Sequence, residues 1–83
     1  MHPNEDTIRN AARDAISQMV GRKIRDNERF ISSGLIDSLS VLRLIGELEK
    51  RLNISIPTES LQPEDFDDLN LIVETVNRAA GKI

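Results

Sequence analysis

Three stretches of this 83-residue chain carry apolar residues at helical spacing, and two longer stretches between them sustain no period. In the first, Ile8, Ala12, Ala15 and Met19 recur on one face, with Ala11 and Ile16 beside them. Pro3, Asn4, Glu5 and Asp6 suit a helix N-terminus, and Gly21 is a stop signal. The second runs from Ser38 to Leu52. At ~100° per residue, Val41, Leu44, Ile45, Leu48 and Leu52 fall within one narrow stripe that should face a core. The third follows Asp67 and Asp68, either of which can cap it. Its stripe is Leu69, Ile72, Val73, Val76 and Ala80, with Phe66 leading in and Gly81 ending it.

Residues 21–36, "GRKIRDNERFISSGLI", read as a long loop pinned by Ile24, Phe30, Ile31, Leu35 and Ile36. Loops of this length inside a compact domain are uncommon and often functional. Further on, Pro57 and Pro63 bracket a short helical turn, with Thr58 as its N-cap and Glu59 behind it. "NISIP" alternates like a strand but has no partner, so it is expected to be extended loop. The predicted fold is all-α: a small four-helix bundle of three main helices and one short one, with a long first loop. One domain spanning residues 1–83 suits the length.

Composition narrows the function. A chain this short buries only somewhat more than ~60% of its unfolded surface, and without cysteine it has neither disulfides nor zinc thiolates. Two Phe and no Trp or Tyr make the core aliphatic. The net charge of −3 is uneven, because residues 1–53 sum to +1 and residues 54–83 to −4. With no clustered basic face and no spare aromatics, nucleic acid is not an expected partner. No apolar run approaches membrane-spanning length, and the first residues form no signal peptide, so a cytoplasmic monomer is the default.

The chemistry concentrates at "FISSGLIDSLS", residues 30–40. Nucleophilic catalysis by Ser38 would need a general base, but the only histidine is His2, at a terminus expected to fray, and Gly-Leu-Ile-Asp-Ser is not a nucleophile elbow. The acid run "PEDFDDL" lacks calcium-loop spacing and its glycine, so no metal is expected. Two readings of Ser38 remain. It can belong to a helix cap, with Asp37 capping and Ser38 at the first helical position. Alternatively, a hydroxyl there can bear a phosphodiester, favourably placed beside unpaired N–H groups and the positive end of the helix dipole. Leu39, Leu42 and Gly46 form a second patch, turned away from the core stripe. For Leu42, packing beneath the long loop and contact with a partner are both open. Gly46 costs ~1 kcal/mol relative to Ala inside a helix, which suggests that something approaches it closely.

"GLIDSLSVLRLIGELEKRLNISIP" resembles the signature segment of acyl carrier proteins and peptidyl carrier domains. The resemblance extends over nearly the whole chain, through Phe30 before the motif and "PEDFDDLNLIVETV" after it. It implies that Ser38 bears 4′-phosphopantetheine donated by coenzyme A, with Asp37 and Leu39 completing an Asp-Ser-Leu motif. It also implies a protein that is not itself an enzyme. Its partners would be a phosphopantetheinyl transferase, an acyl- or aminoacyl-loading ligase and downstream biosynthetic enzymes. Asp37, Leu39, Leu42 and Gly46 are the expected partner contacts. Two features depart from carriers of fatty-acid synthesis. Over Ser38 to Leu52, Arg43, Lys50 and Arg51 outnumber Glu47 and Glu49, where those carriers are heavily acidic. Second, "LQPEDFDDL" looks more like discrete carriers of specialised pathways, including aminoacyl, D-alanyl, nonribosomal-peptide and polyketide types. The competing class is a small helical adaptor without a prosthetic group.

Overall fold

The computed structural model describes residues 3–80, so the expectations for His2 and Gly81 lie outside the described residues. Helix α1 spans Glu5–Val20. Asn4 opens it, its side chain accepting the Thr7 N–H at 2.8 Å, and Gly21 closes it in the left-handed region at φ 76°. Helix α2 spans Ser38–Leu52 and ends at Asn53, whose φ of 55° makes it the non-glycine counterpart of that cap. Helix α3 spans Leu69–Ala80. Among the described residues there is no strand, and past the Asn53 cap residues 54–57 of "NISIP" are loop without regular structure.

One local expectation is corrected and one is narrowed. The short helix does not lie between Pro57 and Pro63. Residues there make only a turn, with the Leu61 N–H on the Thr58 carbonyl at 3.2 Å, and the helical element is one 3₁₀ turn at Pro63–Phe66. Pro63 opens that element instead of closing one, because its fixed φ suits a first helical position where no N–H is needed. The Gln62 N–H donates to the Asp65 carboxylate at 2.9 Å, which fastens the entry. The acid pair before α3 divides its roles. Asp68 alone caps it, accepting the Leu71 N–H at 2.8 Å, while the Asp67 side chain turns to the first loop.

The core gathers Ile8, Ala12, Ala15 and Ile16 of α1, Val41, Leu44, Ile45 and Leu48 of α2, and Leu69, Ile72, Val73 and Val76 of α3. Helix α1 packs on both α2 and α3, and the 3₁₀ turn bridges α2 and α3. Phe30 and Phe66 are buried within this aliphatic core, one from the first loop and one from the 3₁₀ turn. Side chains of this size stabilise the fold by about 1.5–3 kcal/mol each when buried. Thr75 is buried too, and its hydroxyl donates to the Asp65 carbonyl at 3.0 Å, so no polar group is stranded there.

Candidate functional site

The loop of residues 21–37 carries the chain from the end of α1 to Ser38. Ile24, Phe30 and Ile36 plunge into the core, and Ile31 and Leu35 pack against it, the five anchors that the sequence suggested. Polar ties hold the backbone between them. Arg22 makes a two-pronged pair with Glu28, which also accepts the Arg25 N–H at 3.1 Å. Arg13 of α1 grips Asp26 at 2.6 Å. The Phe30 N–H donates to the Asp67 carbonyl at 2.6 Å, and the Ile36 N–H returns to the Phe30 carbonyl at 2.9 Å. Gly34, at φ 81°, makes the turn between those two hydrogen bonds possible.

Asp67 is the centre of this fastening. One carboxylate oxygen accepts the N–H groups of Ile31 and Ser32 at 2.8 and 2.9 Å. The other accepts the Ser32 hydroxyl at 2.8 Å and lies 3.3 Å from the Arg29 guanidinium. Burial alone would raise its pKa, but the Ser32, Ile31 and Arg29 donors outweigh that and bring it from 3.8 down to about 2. One hint of this role lies in the chain itself, since two consecutive aspartates cannot both cap one helix.

The loop delivers Ile36 to the core and leaves Asp37 and Ser38 outside it. Asp37 is the N-cap of α2, accepting the Ser40 N–H at 2.8 Å. That hydrogen bond, helped by the Ser40 hydroxyl, lowers the Asp37 pKa. Ser38 then occupies the first helical position with its side chain exposed, and its hydroxyl makes no hydrogen bond among the described residues. Cap and attachment readings are therefore compatible: Asp37 supplies the cap, and the Ser38 hydroxyl stays free. A phosphodiester fits such a hydroxyl, because the first turn of α2 offers it N–H groups and a positive dipole end.

The surroundings also suit a tethered group. Leu39 is 76% exposed and Leu42 60%, so the reading that buries Leu42 under the loop is excluded. Gly46 is exposed on the same side of α2. A methyl group added there would meet nothing within 4 Å, so no part of the described chain makes the close approach that its glycine suggested. Beside Ser38 lies a cleft of about 90 Å³, walled by Val41, Leu42 and Ile45 on α2 and by Leu61, Pro63 and Phe66 across from it, with Thr58 and Gln62 adding polar groups. Sequence pattern did not reveal this cleft, since its second wall comes from a stretch without periodicity. Among the described residues no group of acidic or histidine side chains is arranged to hold a metal ion, and no helix is long and apolar enough to cross a membrane.

Comparison with known proteins agrees with this geometry. Residues 6–76 match the family described as the phosphopantetheine attachment site. The D-alanyl carrier protein of Streptococcus suis (strain 98HAH33) is 31% identical over 72 residues, covering 87% of this chain and 89% of its own. Those of Streptococcus uberis (strain ATCC BAA-854 / 0140J), 32% identical over 84% of this chain and 91% of its own, and Leuconostoc citreum (strain KM20), 27% identical over 82% and 90%, are similar in the same way. No solved structure matches. The chain belongs to the phosphopantetheine-attachment family. It is a carrier that bears covalent 4′-phosphopantetheine and is not an enzyme. That role implies a phosphopantetheinyl transferase that attaches the group and a ligase that charges it.

Proposed function

We propose that Ser38 is the attachment residue and that the protein is a discrete aminoacyl carrier, with D-alanine as its cargo. The observation that carries the attachment is the exposed, unengaged Ser38 hydroxyl at the first position of α2, behind the Asp37 cap. Attachment forms a bond between the Ser38 oxygen and phosphorus as the pyrophosphate bridge of coenzyme A breaks. The hydroxyl proton is lost and the nucleotide half leaves. Once bound, the group supplies the thiol that this cysteine-free chain does not encode.

The chain's own residues position and display that arm. Asp37 fixes the first turn of α2, the loop ties hold Ile36 and thus the register of Ser38, and Leu39, Leu42 and Gly46 offer the adjoining surface to partner enzymes. Support for a small cargo comes from two sources. Relatives at 27–32% identity are D-alanyl carriers. The cleft beside Ser38 is small, about 90 Å³, in keeping with a small cargo. The mixed charge of α2, with Arg43, Lys50 and Arg51 against Glu47 and Glu49, favours a specialised pathway over general fatty-acid synthesis. Such a carrier works as a cytoplasmic monomer, raising the effective concentration of its cargo at each docked enzyme.

The test is intact mass after incubation with coenzyme A and a broad-specificity phosphopantetheinyl transferase, then with ATP, D-alanine and a D-alanine–carrier protein ligase. Wild type should gain one phosphopantetheine and then one alanyl group, and Ser38→Ala neither. Gain of phosphopantetheine by Ser38→Ala would refute the attachment residue. A loaded wild type that the ligase leaves uncharged would refute the cargo.

A further inference from the structure

The Asp67 carboxylate is not needed by the helix that follows it, because Asp68 caps α3. Nor does packing call for it: burying a charge is costly unless donors replace the lost water, and an apolar side chain would avoid that cost. Here the donors are the Ile31 and Ser32 N–H groups, the Ser32 hydroxyl and the Arg29 guanidinium, and all of them belong to the first connection. Hydrogen bonds are directional, so such a set fixes where a segment lies and not only that it is packed.

The segment so held is tied to itself as well. The Ser33 hydroxyl donates to the Arg29 carbonyl at 2.6 Å, the Gly34 N–H to the Ile31 carbonyl at 3.0 Å and the Leu35 N–H to the Ser33 hydroxyl at 3.3 Å. With the Ile36 N–H on the Phe30 carbonyl, residues 29–36 form a closed circuit. It is joined to Asp67 through the four carboxylate donors and through the Phe30 N–H on the Asp67 carbonyl. Asp67 is itself held in place, by the buried Phe66 before it, by its own N–H on the Glu64 carbonyl at 3.3 Å and by the Asp68 cap behind it. At the other end, Ile36 passes directly to the Asp37 cap and Ser38, which leaves no slack between the circuit and the hydroxyl.

We propose that Asp67 is a positioning residue for phosphopantetheine attachment, setting the place of the Ser38 hydroxyl through the circuit of residues 29–36. The proposal rests on Ser38 as the attachment residue. Asp67 does not touch the hydroxyl, and the bonds made and broken are those of the attachment step itself. Losing the carboxylate leaves that chemistry unchanged but frees Ser38 from the position in which it attacks phosphorus, so turnover falls and affinity for the transferase does not.

The experiment is steady-state loading from coenzyme A by a broad-specificity phosphopantetheinyl transferase, read by intact mass over a range of carrier concentrations. Wild type is compared with Asp67→Ala, Asp67→Asn and the core truncation Ile8→Ala, all well below their thermal midpoints. Asp67→Ala should lower kcat about tenfold with KM within about twofold. Asp67→Asn keeps an oxygen for the Ile31 and Ser32 N–H groups and should stay within about threefold of wild type. Ile8→Ala loses stability in α1 and should keep the wild-type kcat. Amide hydrogen exchange supplies a readout without the transferase, since the Ile36 N–H should exchange faster in Asp67→Ala than in Ile8→Ala. Should Asp67→Ala not fold, Ser32→Ala removes the hydroxyl donor alone and should lower kcat about two- to threefold. A wild-type kcat for Asp67→Ala, or for Ser32→Ala in its place, would overturn the positioning role alone, as would an equal loss in Ile8→Ala. Missing phosphopantetheine on wild type, or its presence on Ser38→Ala, would instead overturn the attachment residue, and this role with it.

Discussion

The two connections that flank α2 are built differently. The first, residues 21–37, is threaded through the core by Ile24, Phe30 and Ile36 and tied by Arg22–Glu28, Arg13–Asp26 and the four donors on Asp67. The second, residues 53–62, is held by the Ile54 and Ile56 N–H groups on Glu49, by one turn at Thr58 and by the Gln62 N–H on Asp65. Ile56 is its one buried apolar side chain. The first connection ends at Ser38 and determines where its hydroxyl stands. The second only walls the cleft beside it. Rigidity is concentrated where the proposed attachment would be presented in one register, and the second wall of the cleft is left with fewer constraints.

The largest effect should come from removing a core anchor of the first connection. Phe30→Ala should destabilise the fold by about 3–5 kcal/mol, whereas Leu61→Ala, from a half-buried position in the second connection, should cost about 1 kcal/mol. Denaturant unfolding of both variants measures the contrast, and equal losses would break it.

Asp67 comes next. Asp67→Ala strands the Ile31 and Ser32 N–H groups and should cost about 2–4 kcal/mol, while Asp67→Asn keeps an oxygen for them and should cost less. The same residue sets a pH response. Its pKa is lower folded than unfolded, so its stabilisation is complete above the ordinary value of 3.8 and is lost as pH falls towards about 2. Glu28, held down from 4.5 to about 2 mainly by the Arg22 hydrogen bond, acts in the same direction and also serves the first connection. Unfolding free energy measured from pH 5 to pH 2 should therefore fall for wild type and fall less steeply for Asp67→Ala.

The smallest effect should be a gain. Gly46→Ala has open space for its methyl group and should stabilise α2 by up to about 1 kcal/mol. A destabilised variant in thermal unfolding would mean that the glycine serves the fold and not the outer face.

The three main helices were legible because caps and stripes agreed at each. Asp37 before Ser38, and Val41 through Leu52 at one spacing, define α2 without reference to the rest of the chain. The anchors of the first loop could be named as well, since large apolar residues in a polar stretch need somewhere to go. The 3₁₀ turn was misplaced because a proline both ends and begins helices, and only the Asp65 carboxylate on the Gln62 N–H shows which Pro63 does. The role of Asp67 in the first loop was not legible for a related reason: its partners lie 35 and 36 residues away, beyond any local pattern. At the candidate site, Ser38 and its cap were readable from the motif. The cleft depends on packing between segments distant in sequence, which periodicity does not report.

The most direct measurement concerns which hydroxyl is modified. Tryptic digestion of the loaded protein releases residues 30–43, a peptide holding Ser32, Ser33, Ser38 and Ser40. Fragmentation should place phosphopantetheine on Ser38, the one at the first position of α2 with an unengaged hydroxyl, and leave the other three unmodified. Placement on Ser32, Ser33 or Ser40 would contradict the role assigned here to the Asp37 cap and the loop that leads to it.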